Sequence, residues 1–185
     1  MIRFVFLIYF ILCFSFHIFS QDQSQVRIIE ETSRPAAQIA NIYPFDIDLL
    51  QVDGSKLKSS QVFHKNKKAT VLLFWMTTCG PCRMELNAIS QKFNQWKKQM
   101  DFDLFAISTD FSDRVEQFNT RVNDSKWPFP AVMDINREFR YVMEGGLNGL
   151  PQVFVLDKKG AVIYHTRKYR PGDEDLLFQK LLSLK

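Results

Sequence analysis

The stretch Val71-Leu72-Leu73-Phe74-Trp75-Met76-Thr77-Thr78-Cys79-Gly80-Pro81-Cys82 decides how this chain is read. Its first half is apolar and follows a basic segment, His64-Lys65-Asn66-Lys67-Lys68. Ala69 to Met76 therefore reads as a central strand, apolar on both faces and either parallel or covered on both sides. From Pro81 to about Lys98 the pattern turns helical, with Met84, Ala88, Ile89, Phe93 and Trp96 expected near one face. Pro81 suits the first helical turn, where its missing N–H has no partner to lose. A strand feeding a helix puts Cys79 at the helix start and Cys82 one turn inside.

Unpaired backbone N–H groups at a helix start stabilise a thiolate. An ordinary Cys with a pKa of about 8.5 is only about 3% thiolate at pH 7, whereas a CxxC sulfur with a pKa of about 7 is about half ionised. Lower intrinsic nucleophilicity offsets part of that gain. The chemistry this spacing suits is reversible dithiol–disulfide exchange, with Cys79 attacking and the more buried Cys82 resolving. Two other readings stand beside it. A structural cross-link over so short a loop contributes only about 2 kcal/mol. A zinc half-site lacks the second CxxC or HxxxH that four ligands require. Glu85 lies one helical turn after Cys82, so its carboxyl is a candidate acceptor for the resolving thiol's proton, with a solvated surface Glu as the other reading.

Outward from this stretch, strands and helices alternate. Phe45 to Leu49 has strand periodicity, Val52-Asp53-Gly54-Ser55 a turn, and Leu57, Val62 and Phe63 fall on a short strand or loop. Phe102 to Ser108 reads as a strand. Ser112-Asp113, with Glu116 as a capping-box partner, is expected to start a helix that runs to about Arg121. Ala131 to Met133 is a short strand, Ile135 to Met143 a helix stopped by Gly145-Gly146, and Gln152 to Leu156 a strand. Asp157-Lys158-Lys159-Gly160 turns the chain into a return strand over Ala161 to His165, and Asp173 to Leu184 closes as an amphipathic helix. This order predicts an α/β layered domain. His64 and His165 read as surface or strand residues.

Composition narrows the class. The 185 residues suit one domain with a real core, and 18 Phe with 46% hydrophobic residues argue against disorder. The net charge of +4 is modest, and no GxGxxG loop is present, so neither nucleic acid nor a nucleotide is expected as partner. The basic segment at 64–68 reads as a solvated loop. At the N-terminus, Arg3 precedes an uninterrupted apolar run from Phe4 to Phe14, short for a spanning helix but suited to a secretory signal. Residues 1–20 are read as a signal peptide cleaved after Ser20, with an uncleaved membrane anchor as the rival. Residues 21–44 form a loosely packed lead-in, and 45–185 the folded domain. Loss of residues 1–20 would remove Cys13 and leave Cys79 and Cys82 as the thiols, compatible with an oxidising compartment.

Residues 45–185 resemble the thioredoxin fold, and specifically the exported TlpA/ResA-like thiol–disulfide oxidoreductases. Phe74-Trp75 precede Cys79-Gly80-Pro81-Cys82 at the family's spacing, Arg83 and Glu85 follow it, and Gly149-Leu150-Pro151 stands before a strand that ends in Asp157-Lys158-Lys159-Gly160. The resemblance implies a central mixed β-sheet flanked by helices, with the Phe45–Gly54 segment as an N-terminal β-hairpin extension. It implies catalytic roles for Cys79, Cys82 and Glu85, and substrate contacts from Trp75, Gly80, Pro81, Leu150 and a cis Pro151, whose neighbouring backbone would lie beside the Cys79 sulfur. Trp75 is read chiefly as packing. No cofactor or metal is implied beyond the redox-active Cys79–Cys82 disulfide. Protein dithiols or disulfides are the implied substrates, apocytochrome c thiols among them, with a membrane thiol-transporting protein as electron donor and a periplasmic or other extracytoplasmic monomer as the working form. A thiol peroxidase of related fold and a copper or other metal carrier are the competing readings. Three positions depart from the family: Thr78 where Trp is common, Asn87 where many members have Pro, and Leu73 where thioredoxins bury an Asp.

Overall fold

All seven residues of β3 (Ala69–Trp75) are buried, and the fold is organised around that strand. The computed structural model describes residues 46–63 and 67–185, which belong to the unit Ile39–Lys185. The expected signal peptide, the lead-in, Phe45 and His64 lie outside the described residues.

Successive side chains on a strand point to opposite faces. Val71, Leu73 and Trp75 accordingly join one core layer and Leu72 and Phe74 the other. β3 pairs in parallel with β4 (Phe102–Ser108) and antiparallel with β6 (Gln152–Leu156). β4 pairs in parallel with β5 (Ala131–Met133), and β6 antiparallel with β7 (Val162–Arg167). An N-terminal hairpin of β1 (Asp48–Gln51) and β2 (Lys56–Lys58) extends the sheet through antiparallel pairing of β1 with β5. The result is a seven-stranded mixed sheet in the order β2-β1-β5-β4-β3-β6-β7.

Helices cover both faces. The layer containing Cys82 draws Leu86, Ile89, Phe93 and Trp96 from α2 (Gly80–Gln99), Phe118 from α3 (Val115–Ser125), and Leu177 and Leu181 from α5 (Asp173–Leu182). Trp96 stacks on Phe178 with ring centroids 4.8 Å apart, which joins α2 to α5. The opposite layer holds Phe63, which follows the one-turn α1 (Ser59–Val62), and Phe139, which opens the one-turn α4 (Phe139–Val142). Phe63 lies 4.7 Å from Phe105 and 6.2 Å from Phe139, centroid to centroid.

The mixed sheet and the hairpin are as the sequence predicts, and four local readings are corrected. The first strand is displaced from Phe45–Leu49 to Asp48–Gln51, its far end fixed by Asp53, whose carboxylate accepts the Ser55 N–H at 2.9 Å. Met84 is 55% exposed, because Cys82, Glu85 and Leu86 take the inward face of α2. Ser112–Arg114 forms a separate 3₁₀ turn rather than a capping box. Its Arg114 N–H bonds the Phe111 carbonyl at 2.9 Å, α3 begins at Val115, and no side chain caps it. The helix read from Ile135 shrinks to Phe139–Val142, because the buried Asp134 carboxylate takes the Glu138 and Phe139 N–H groups at 2.9 and 2.8 Å and Arg137 sits at φ 57°. Nor do Gly145 and Gly146 end it: extended Met143 caps the helix after Val142, and the two glycines lie in a following 3₁₀ turn, Glu144–Leu147. Both have positive φ, and a Cβ on Gly145 would collide with the Arg167 guanidinium.

Candidate active site

The β3 strand ends at Trp75, and the chain turns through Met76-Thr77-Thr78 into α2. Asp110 fixes that turn. Its carboxylate is fully buried and accepts the Thr77 N–H and the Thr77 hydroxyl, each at 2.8 Å, and the Ser108 hydroxyl at 2.7 Å. Burying a carboxylate is costly unless its oxygens are satisfied, and here three donors satisfy them. The arrangement holds the residue two positions before Cys79 against the end of β4. Asp110→Asn keeps the shape but loses charge assistance, so it should cost about 1 kcal/mol, read as a lower urea midpoint with an unchanged slope.

Cys79 is the N-cap of α2, with Pro81 in the first turn. Its Sγ accepts the Cys82 N–H at 3.2 Å and forms a disulfide with Cys82, Cα to Cα 5.3 Å. Cys79 is half-buried, whereas Cys82 has no exposed surface. Gly80 is half-buried and Pro81 exposed beside them. Cys79 is therefore the outer sulfur of the pair, and the helix-start N–H of Cys82 points at it.

The cis Leu150–Pro151 peptide comes to the same end of the sheet. Phe74 pairs with Gln152, so the residue before β6 lies next to the end of β3 from which the CGPC turn departs. The Gln152 amide donates to the Asn148 and Gly149 carbonyls, each at 3.0 Å, and holds this loop. Leu150 and Cys79 are both half-buried and pack against the layer containing Cys82. Trp75 is fully buried there, edge-on to Trp127 at 5.1 Å, a packing position. Asn87, one of the departures from the family pattern, accepts the Trp127 indole N–H at 2.9 Å and so anchors that ring to α2. Leu73 is fully buried in the same layer.

Glu85 is 3% exposed, and its Oε2 has no hydrogen-bond partner among the described residues. Burial pushes its carboxyl up to about 8, helped by the negative charges of Asp173 and Glu174. Glu174 behaves oppositely. Burial also raises it, but hydrogen bonds from Lys92, from the backbone and from the Tyr169 hydroxyl hold it down at about 2. Neither Asp110 nor the carboxylates of α5 is visible as a site neighbour in the sequence, because both reach the site through long-range packing. The sequence signal that was present is small: Asp110 closes the β4 strand, and a carboxylate at a parallel strand's end often serves a site.

His165 lies on β7, as read, with its ring stacked on Phe154 and its Nε2 3.0 Å from the Gln152 Oε1. It belongs to the sheet rather than to the sulfur pair. Among the described residues no group of three or more His, Cys, Asp or Glu gathers to hold a metal ion.

Comparison with known proteins decides the family. The AhpC/TSA family model matches residues 41–165, more than half of the chain. The chain belongs to the AhpC/TSA family. The thiol-disulfide oxidoreductase ResA of Bacillus anthracis is 25% identical over 135 residues, 72% of this chain and 70% of that protein. A thioredoxin-like protein from Porphyromonas gingivalis superposes with a TM-score of 0.66 at 25% identity, covering 78% of this chain and 94% of that one. The thioredoxin domain of a thiol-disulfide oxidoreductase from Bacteroides vulgatus shares the fold at 20% identity, with a TM-score of 0.60 over 78% of this chain and 96% of that one. This AhpC/TSA member is TlpA/ResA-like, a protein disulfide oxidoreductase of the thioredoxin superfamily.

Proposed function

We propose that the protein is exported and reduces disulfides in protein substrates through a mixed disulfide on Cys79. The observation that carries this reading is the position of Cys79, a half-buried N-cap sulfur that accepts the Cys82 N–H. In the reduced protein the Cys79 thiolate attacks one sulfur of the substrate disulfide. A Cys79–substrate bond forms and one substrate thiolate leaves. The Cys82 sulfur, its proton passed to Glu85, then attacks Cys79. The Cys79–Cys82 disulfide forms and the second substrate sulfur leaves as a thiolate, so two electrons pass from the enzyme to the substrate. Leu150 and Pro151 would offer backbone to a substrate strand, with Gly80 and Pro81 on its other side. Trp75 supports the pair from within the core.

The apolar segment Phe4–Phe14 supports export, and export supports a membrane thiol-transporting protein as the electron source, since the thiol pool of the cytoplasm does not reach outside it. Apocytochrome c thiols, once oxidised to a disulfide, fit as a substrate class, and the protein would act as a monomer. The test is direct: the reduced protein is mixed with a peptide disulfide or with hydrogen peroxide, and thiol loss is followed. Rapid oxidation by the peptide and slow oxidation by peroxide is the expected result. Peroxide reacting faster would overturn disulfide reduction in favour of thiol peroxidase activity.

A further inference from the structure

A cleft of about 460 Å³ opens against the turn that leads into Cys79, and nothing in the exchange chemistry uses it. One wall is Thr77-Thr78, and Thr78 is bonded to Cys79. The other wall is the start and outer face of α3, where Arg114, Gln117 and Arg121 recur at helical spacing, with Glu116 and Thr120 beside them. The walls share one anchor. Asp110 clamps Thr77, and four residues later the same segment delivers Arg114. The cleft is therefore built into the framework that positions Cys79.

Its charge is unspent. Among the described residues neither Arg114 nor Arg121 forms an ion pair, and the Arg121 Nε is shielded from water without a hydrogen-bond partner. Two guanidinium groups outnumber the single Glu116 carboxylate. A guanidinium fork recognises carboxylates in particular, through paired N–H donors. Thr78, which lines the cleft, is the residue bonded to Cys79, so their Cα atoms are roughly 3.8 Å apart.

We infer that this cleft is a specificity subsite that takes an acidic side chain of the substrate polypeptide close to its disulfide, with Arg114 and Arg121 as the selecting residues. The inference rests on the disulfide-reducing role proposed above. A carboxylate there pairs with both guanidinium groups and holds the substrate sulfur over Cys79. Since the cleft is open, the pairing is screened by salt.

Three oxidised substrates test it: a cyclic peptide disulfide flanked by Glu, the same peptide flanked by Lys, and neutral hydroxyethyl disulfide. Oxidation of the reduced protein is followed at low salt. The Glu peptide should react about tenfold faster than the Lys peptide, and the ratio should fall as salt rises. In Arg114→Gln/Arg121→Gln the ratio should drop to near one, and in Arg114→Glu/Arg121→Glu it should invert. Lys158→Gln/Lys159→Gln removes the same charge from the β6–β7 turn, at the opposite end of the sheet by the Thr70–Leu156 pairing, and should keep the wild-type ratio. Circular dichroism establishes that each variant is folded, and the wild-type ratio with its salt dependence decides if one is not. A wild-type ratio near one, a ratio indifferent to the arginine changes, or equal loss in the lysine variant overturns the subsite while exchange stands. Failure with all three substrates, hydroxyethyl disulfide included, overturns disulfide reduction itself and the subsite with it.

Discussion

Cys79→Ser should lower disulfide reduction by at least about a thousandfold, to background, because the attacking sulfur is gone and no other group forms the covalent intermediate. Cys82→Ser should behave differently. Cys79 still attacks, the mixed disulfide accumulates, and a covalent enzyme–substrate complex appears on a non-reducing gel and disappears with reductant. The asymmetry follows from burial: Cys79 is half-exposed at the N-cap, whereas Cys82 is sealed inside the layer shared with Trp75 and Leu86. Full turnover by Cys79→Ser would end the mechanism. A trapped complex on Cys82 in the Cys79 variant would reverse the two roles.

Glu85→Gln should have the second-largest effect, and in two measurements. The first is stability. Folding raises the Glu85 pKa from 4.5 to about 8, so the folded state binds a proton that the unfolded state has lost. That contribution is fully present below pH 4.5 and is lost as pH rises toward 8, amounting to roughly 3 kcal/mol by pH 7. Gln carries no such proton. The variant should gain about that much on wild type between pH 4 and pH 7 in urea unfolding of the disulfide form, and parallel curves would refute it. Glu174, held at about 2, slopes the other way: its stabilisation is present above pH 4.5 and is lost as pH falls below that, at the acid edge of this window and equally in both proteins. The second measurement is rate. A carboxyl at about 8 matches a thiol as proton acceptor, so its loss should slow resolution by about a hundredfold and remove the rise in rate through pH 8. Adjacent carboxyls whose surroundings drive their pKa values apart are what acid–base chemistry requires.

Much of this was legible in the chain. The apolar Ala69–Met76 run had to be central because both of its faces are apolar, and the turn that follows it had to bear the cysteines. The Gly149-Leu150-Pro151 step was visible only through its resemblance to a family, since no local rule distinguishes it from an ordinary loop. The failures share a cause. Met84 looked inward because a helical pattern tolerates it there, but the buried slot went to Glu85, a residue no hydrophobic period would select. The Ser112-Asp113 capping signal was outcompeted by a tighter backbone turn. Asp110, Asp173 and Glu174 matter because strands and helices far apart in sequence converge on one end of the sheet, and periodicity carries no information about that.

Among the described residues the sheet separates two apolar compartments, and the cysteine pair packs with only one of them. The ring cluster of Phe63, Phe105 and Phe139 lies in the other. Leu150 touches both. A change among those rings should therefore alter stability before it alters exchange, and Leu150 is the position through which it would first be felt by the cysteines.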